Sequence, residues 1–161
     1  MINLEQLGKE FKRNTSIVDL QTKLLTHEDS LLQPESRGNC MNWVLGHMLD
    51  SRDRVLNMLG EERLVMLDQK EIYTNGSDPI TEDGEHVIKL ERLLEMFQIG
   101  QERIESGIRQ LDVKKLDEMV GKEGREVRFG DRLHFWYFHD TYHTGQLEYL
   151  RQLTGVDDQV I

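Results

Sequence analysis

The chain has 161 residues, enough for one domain with a proper hydrophobic core and too few for two ordinary ones. Its 20 Lys and Arg against 30 Asp and Glu give a formal charge of -10, which argues against a role built on attraction to a nucleic-acid backbone. Alanine is absent and proline occurs twice, so the 37% hydrophobic content reflects missing alanine and not a missing core; overall disorder is excluded.

The opening MINLEQLGKEFK carries charges within its first dozen residues, so we expect no secretory signal there. No run approaches the ~20 apolar residues of a membrane helix. The single cysteine, Cys40, cannot form an intrachain disulfide, which fits a reducing compartment; the cytoplasm is the expected location. With no repeat and no linker between different compositions, one domain over residues 1–161 is expected.

Apolar residues at steps of three, four and near seven (Leu4, Leu7, Phe11, Val18, Leu25) predict a first helix over about 3–27, its stripe widened by Ile17, Leu20 and Leu24. Pro34 and Gly38 break the pattern. A second helix is expected over about 39–59, capped by Asn39, facing inward with Val44, Met48, Val55 and Leu59, and stopped by Gly60 in a left-handed conformation. Residues 61–83 hold an ambiguous LVML run and the turn formers Asn75-Gly76 and Pro79, and read as a long connection. Val87, Leu90, Leu94, Phe97, Ile104, Ile108 and Leu111 mark a third helix, with Glu82, Asp83 and Glu85 at its positive end and Gln101 as the one polar interruption. Residues 117–130, with three glycines and a Val127/Phe129 alternation, suggest a small extended turn against the bundle. The fourth helix, about 131–153, carries Leu133, Trp136, His139, His143, Leu147, Leu150 and Leu153 on one face and ends at Thr154-Gly155. Four amphipathic helices with polar connections predict an all-α four-helix bundle.

Two positions on that last face are histidines. His139 and His143, four apart, project from one side of a helix about 6 Å apart in axial rise, the spacing of two ligands on one ion. Neutral imidazoles bind Zn, Ni, Cu or Fe, although an isolated HxxxH is more often a pair of hydrogen-bonded, partly buried histidines. His47 on helix two changes that balance, because helices about 8–10 Å apart let imidazoles from facing elements meet at one ion. His27, His86 and His134 are expected to be solvated.

The segments NWVLGHMLDSRDRVLNMLG and HFWYFHDTYHTGQLEYLRQLTG, the second with an HxxxHxGQ pattern, resemble the DinB-like (DinB/YfiT) metal-dependent four-helix bundles, and the resemblance spans nearly the whole chain. It implies an up-down-down-up bundle, often a homodimer, with His47, His139 and His143 as ligands of a divalent metal; residues 61–83 suit the crossover between helices two and three. The sequence departs from many members in carrying Asp140 and Thr144 where they have Glu and Arg. HDTYH also reads as a degenerate HExxH protease site, but Asp140 is one methylene shorter than the base Glu.

Three protein ligands leave open positions, as in catalytic metal sites. Zn or Ni is the expected ion. The resemblance implies chemistry on a low-molecular-weight thiol, of S-transferase type, acting on a small-molecule substrate; hydrolysis by activated water is the second possibility. Asp50, three residues after His47, could orient a ligand or take a proton, or simply pair with Arg54; Gln146, three after His143, could hydrogen-bond a ligand or substrate. Tyr142 and Trp136 could line the cavity, although ordinary packing is the more usual role of such aromatics, and Cys40, about 10 Å along the helix from His47, is expected to be a buried thiol. The alternative is a non-catalytic bundle that binds a metal or small ligand. Neither nucleic acid nor membrane is an expected partner.

Overall fold

The protein, a computed structural model, is described over residues 3–35, 38–64, 70–156, 158 and 160. Of the LVML run, Leu64 is buried and the other three residues lie outside the described ones. Four long helices dominate: α1 (Leu4–Thr22), α3 (Met41–Leu59), α4 (Leu90–Gln110) and α5 (Phe129–Gln152); a short α2 (His27–Ser30) follows α1. A two-residue antiparallel pair, β1 (Met119–Val120) with β2 (Val127–Arg128), is the small extended turn expected before the last helix. No helix among the described residues is long and apolar enough to cross a membrane.

The first helix is shorter than its periodicity suggests. It stops at Thr22, Leu24 takes a left-handed backbone at φ +67°, and Thr26 and Asp29 then form a reciprocal capping box that starts α2. Leu24 is therefore 87% exposed rather than part of the apolar stripe. This turn also buries His27, against the expectation of a solvated side chain: its Nδ1 accepts from the Leu90 amide at 3.2 Å and its Nε2 lies 3.1 Å from Asp83 Oδ1. The histidine thus satisfies one of the unpaired amides at the start of α4. Asn39 does not cap α3; Cys40 occupies that position without a side-chain bond, and Gly60 ends the helix at φ +77° as expected.

Helix α1 packs against α4 and α5, and so does α3. Contacts fix the levels: Lys12 with Glu105, Thr15 with Gln101 and Asp19 with Gln98 between α1 and α4; Phe11 with Tyr137 and Asn14 with Asp140 between α1 and α5. Arg52 lies over Phe97 and Leu59 against Gly107 between α3 and α4, while His47 meets His143 and Arg54 meets Trp136 between α3 and α5. The apolar residues expected inward on α3 and α4 are largely so: Val44, Met48, Val55, Leu90, Phe97 and Ile104 are buried.

Helix α3 is buried almost all round, from Met41 to Asp53, although its sequence includes His47, Asp50, Arg52 and Asp53. A polar network explains how charge is tolerated there. The fully buried Arg52 forks onto Asp140, with Nε 2.9 Å from Oδ1 and Nη2 3.0 Å from Oδ2. Its Nη1 donates to Thr15 Oγ1 at 2.8 Å, and Asn14 Nδ2 donates to Asp140 Oδ2 at 2.9 Å. Thr15 in turn donates to Gln101. The polar break in helix three is thus one end of a network joining all four long helices, and a buried charge pair requires that kind of completion.

Candidate metal centre

Between α3 and α5 lies a cleft of about 820 Å³, with His47, His139 and His143 in its wall. One ligand atom from each histidine can be chosen so that all three lie within 4.8 Å of one another, and His47 Nε2 is 3.3 Å from His139 Nε2. Nitrogens held about 2.0–2.1 Å from a tetrahedral ion are about 3.3–3.4 Å apart, so this pair already has the separation of two ligands.

Each ring is set by its surroundings. His47 Nδ1 donates to the Tyr73 carbonyl at 2.9 Å, which leaves the Nε2 lone pair facing the cleft. That carbonyl is well placed because Tyr73 is wholly buried: its hydroxyl donates to Asn42 and accepts from the Ile88 amide, both at 2.9 Å. Gly46 makes the approach possible, since a Cβ there would sit 2.2 Å from the Tyr73 ring. Trp43 stacks on His47 with ring centres 4.8 Å apart, and its indole donates to Ser77. On α5, His143 Nδ1 donates to Gln146 Oε1 at 2.7 Å, again freeing Nε2. His139 Nδ1 is buried without a hydrogen-bond partner.

Burial, then the neighbouring His143 and His47, hold the His139 imidazole's pKa down to about 4; burial also lowers that of His143. Both rings are therefore neutral near pH 7, the form that ligates metals. With the His47 proton on Nδ1, its close approach to His139 Nε2 is relieved either by a proton on that nitrogen, leaving Nδ1 as a buried lone pair, or by a cation using both. The donor set fits a divalent ion.

The other candidates separate clearly. Gln146 touches His143 and lines the cleft. Asp50 also lines it and is the sole carboxylate among the described lining residues; its Oδ2 accepts from Arg54 Nη2 at 2.9 Å. Tyr142 and Trp136 both line the cleft, and Cys40 is a buried thiol outside it, raised in pKa by burial. Asp140 points away into the Arg52 network, which removes the base that a degenerate HExxH reading needs. Thr144 likewise turns to the core, its hydroxyl donating to the Asp140 carbonyl. Sequence reasoning missed Tyr73 and Trp43; the glycine directly before His47, inside a helix, was the available signal of close packing.

The DinB superfamily profile matches residues 11–147. No curated protein matches the chain. A crystal structure of a conserved protein from Enterococcus faecalis superposes with a TM-score of 0.74 at 17% identity, covering 96% of this chain and 98% of that one, a likeness of fold.

Proposed function

The chain belongs to the DinB superfamily, in general a metal-binding group, and from that premise we propose a divalent-metal-dependent enzyme that activates a low-molecular-weight thiol for transfer to a small electrophile. His47, His139 and His143 are the ligands, and Zn or Ni the ion. The observation that carries the reading is the convergence of three imidazoles, two of them oriented through Nδ1 so that Nε2 is free, in the wall of an open cleft. The ion would supply the positive charge that favours a deprotonated thiol, or a deprotonated water in the hydrolytic variant. Gln146 and the Tyr73 carbonyl hold the rings in register; Trp43 and Trp136 wall the cleft.

The supply of bases favours thiol over water. Asp140 is committed to Arg52, and Asp50 is engaged by Arg54, so a reaction needing little further proton abstraction suits the site. A thiol meets that demand because its proton is lost more readily than that of water. The same scarcity is what a non-catalytic metal- or ligand-binding role would show.

The level contacts support an up-down-down-up order. Residue numbers run oppositely between α1 and α4 and between α3 and α5, but rise together between α3 and α4, so the chain between those two helices serves as the crossover.

Zinc-loaded protein mixed with a panel of small thiols and a chromogenic electrophile tests the reaction. A thiol-dependent rate that disappears in His143→Ala is expected. No thiol-dependent rate above the metal-free control contradicts transfer and leaves the binding role.

A further inference from the structure

A second cleft, of about 560 Å³, lies beside the first and shares its Arg54 and Trp136 wall. Arg54, Arg63, Lys115 and Arg132 all line it, and no carboxylate does among the described residues. In a chain of charge -10 this is an unusual gathering. Like charges around a concavity repel one another, more strongly where protein replaces water, so the arrangement is favourable when an anion sits among them.

Three of the four cations are held in place by different groups. Arg54 pairs with Asp50 and lies 5.5 Å from the centre of the Trp136 ring. Arg63 is tied to Asp53, with Nε 2.7 Å from Oδ2, and Asp53 is itself fixed by the Leu64 amide at 2.8 Å. The Lys115 ammonium rests 5.0 Å from the centre of the Phe129 ring. Arg54 and Arg63 are ion-paired with Asp50 and Asp53, whereas Lys115 and Arg132 form no ion pair among the described residues, so two of the four lining cations have no carboxylate partner of their own. Positioning before binding reduces the ordering cost that a ligand meets, and guanidinium forks match the paired oxygens of carboxylates and phosphates.

The geometry points to a binding site for a small oxyanion, a carboxylate or phosphate group, held by Lys115 and Arg132 with Arg54 and Arg63 at its flanks. Because Arg54 and Trp136 belong to both clefts, an anion here lies alongside the histidine centre. The site itself stands independently of any metal.

Calorimetric titration of the metal-free protein with inorganic pyrophosphate, and separately with succinate, tests the assignment and tells phosphate from carboxylate. Saturable binding of at least one probe at one per chain is expected, weakened tenfold or more by Lys115→Gln together with Arg132→Gln. As a control, Lys9→Gln with Arg13→Gln makes the same charge change on the exposed side of α1 and should leave affinity within twofold. Absence of saturable binding by either probe, or equal weakening in both double variants, overturns the proposal. Zinc titration of the same proteins reports separately on the histidines.

Discussion

Gln146 does for His143 what the Tyr73 carbonyl does for His47: it takes the Nδ1 proton and so presents the opposite nitrogen. Removing such an orienting partner commonly costs about 10–100-fold in metal affinity. Gln146→Leu should weaken zinc binding by that order while leaving the helical circular dichroism unchanged; zinc titration against a competing chelator checks it. His139 makes a pH prediction. The unfolded chain protonates it near 6.5 and the folded metal-free chain only near about 4, so between those values the unfolded state binds more protons. Stability of the metal-free protein should therefore rise with pH from about 4 to 6.5 and be lost as acid is added. Urea midpoints across this range measure it, and His139→Gln should flatten the slope.

At the scale of elements, α3 is held to the connection that follows it by hydrogen bonds that involve His47, Asn42 and Trp43 and by the close approach of Gly46 to the Tyr73 ring. Gly46→Ala would place a methyl group in the Tyr73 ring, displacing the carbonyl that orients His47. A stability loss of about 1–3 kcal/mol is expected from overpacking, together with weaker zinc binding. Thermal denaturation and a metal titration of the same variant separate the two effects. The four-helix pattern was legible because Val44, Met48, Val55, Phe97 and Ile104 recur at helical spacing on buried faces. His139 and His143 were legible by their four-residue spacing and His47 by its place on helix two and the family resemblance, and the convergence of the three came from the packing of α3 on α5. What periodicity could not convey was where a helix turns aside for a local bond. The capping box at Thr26 and Asp29 divided the first helix and carried His27 inward, and Tyr73, in a segment without periodicity, became a support of the centre.

Across the whole molecule, the Arg52–Asp140 pair is the charged hub of the interior, completed by Asn14 and Thr15 from α1 and overlaid on Phe97 from α4. Composition hides it, since Arg52 and Asp140 are two of many charged residues and most of the others are on the surface. Asp140→Ala would leave Arg52 buried without its carboxylate, at a cost of about 3–5 kcal/mol. Urea denaturation should show that loss, and replacing both partners, Arg52→Met with Asp140→Leu, should recover much of it. The same division of labour organises the fold: α5 turns Asp140 and Thr144 into the core and His139 and His143 toward the cleft, so one helix serves both stability and the site. The central claim is that three imidazoles from α3 and α5 hold one ion. Element-resolved metal analysis after zinc exchange and removal of free metal tests it most directly. One zinc per chain in the unmodified protein and almost none in His143→Ala is the predicted result; equal occupancy in the two proteins would contradict it.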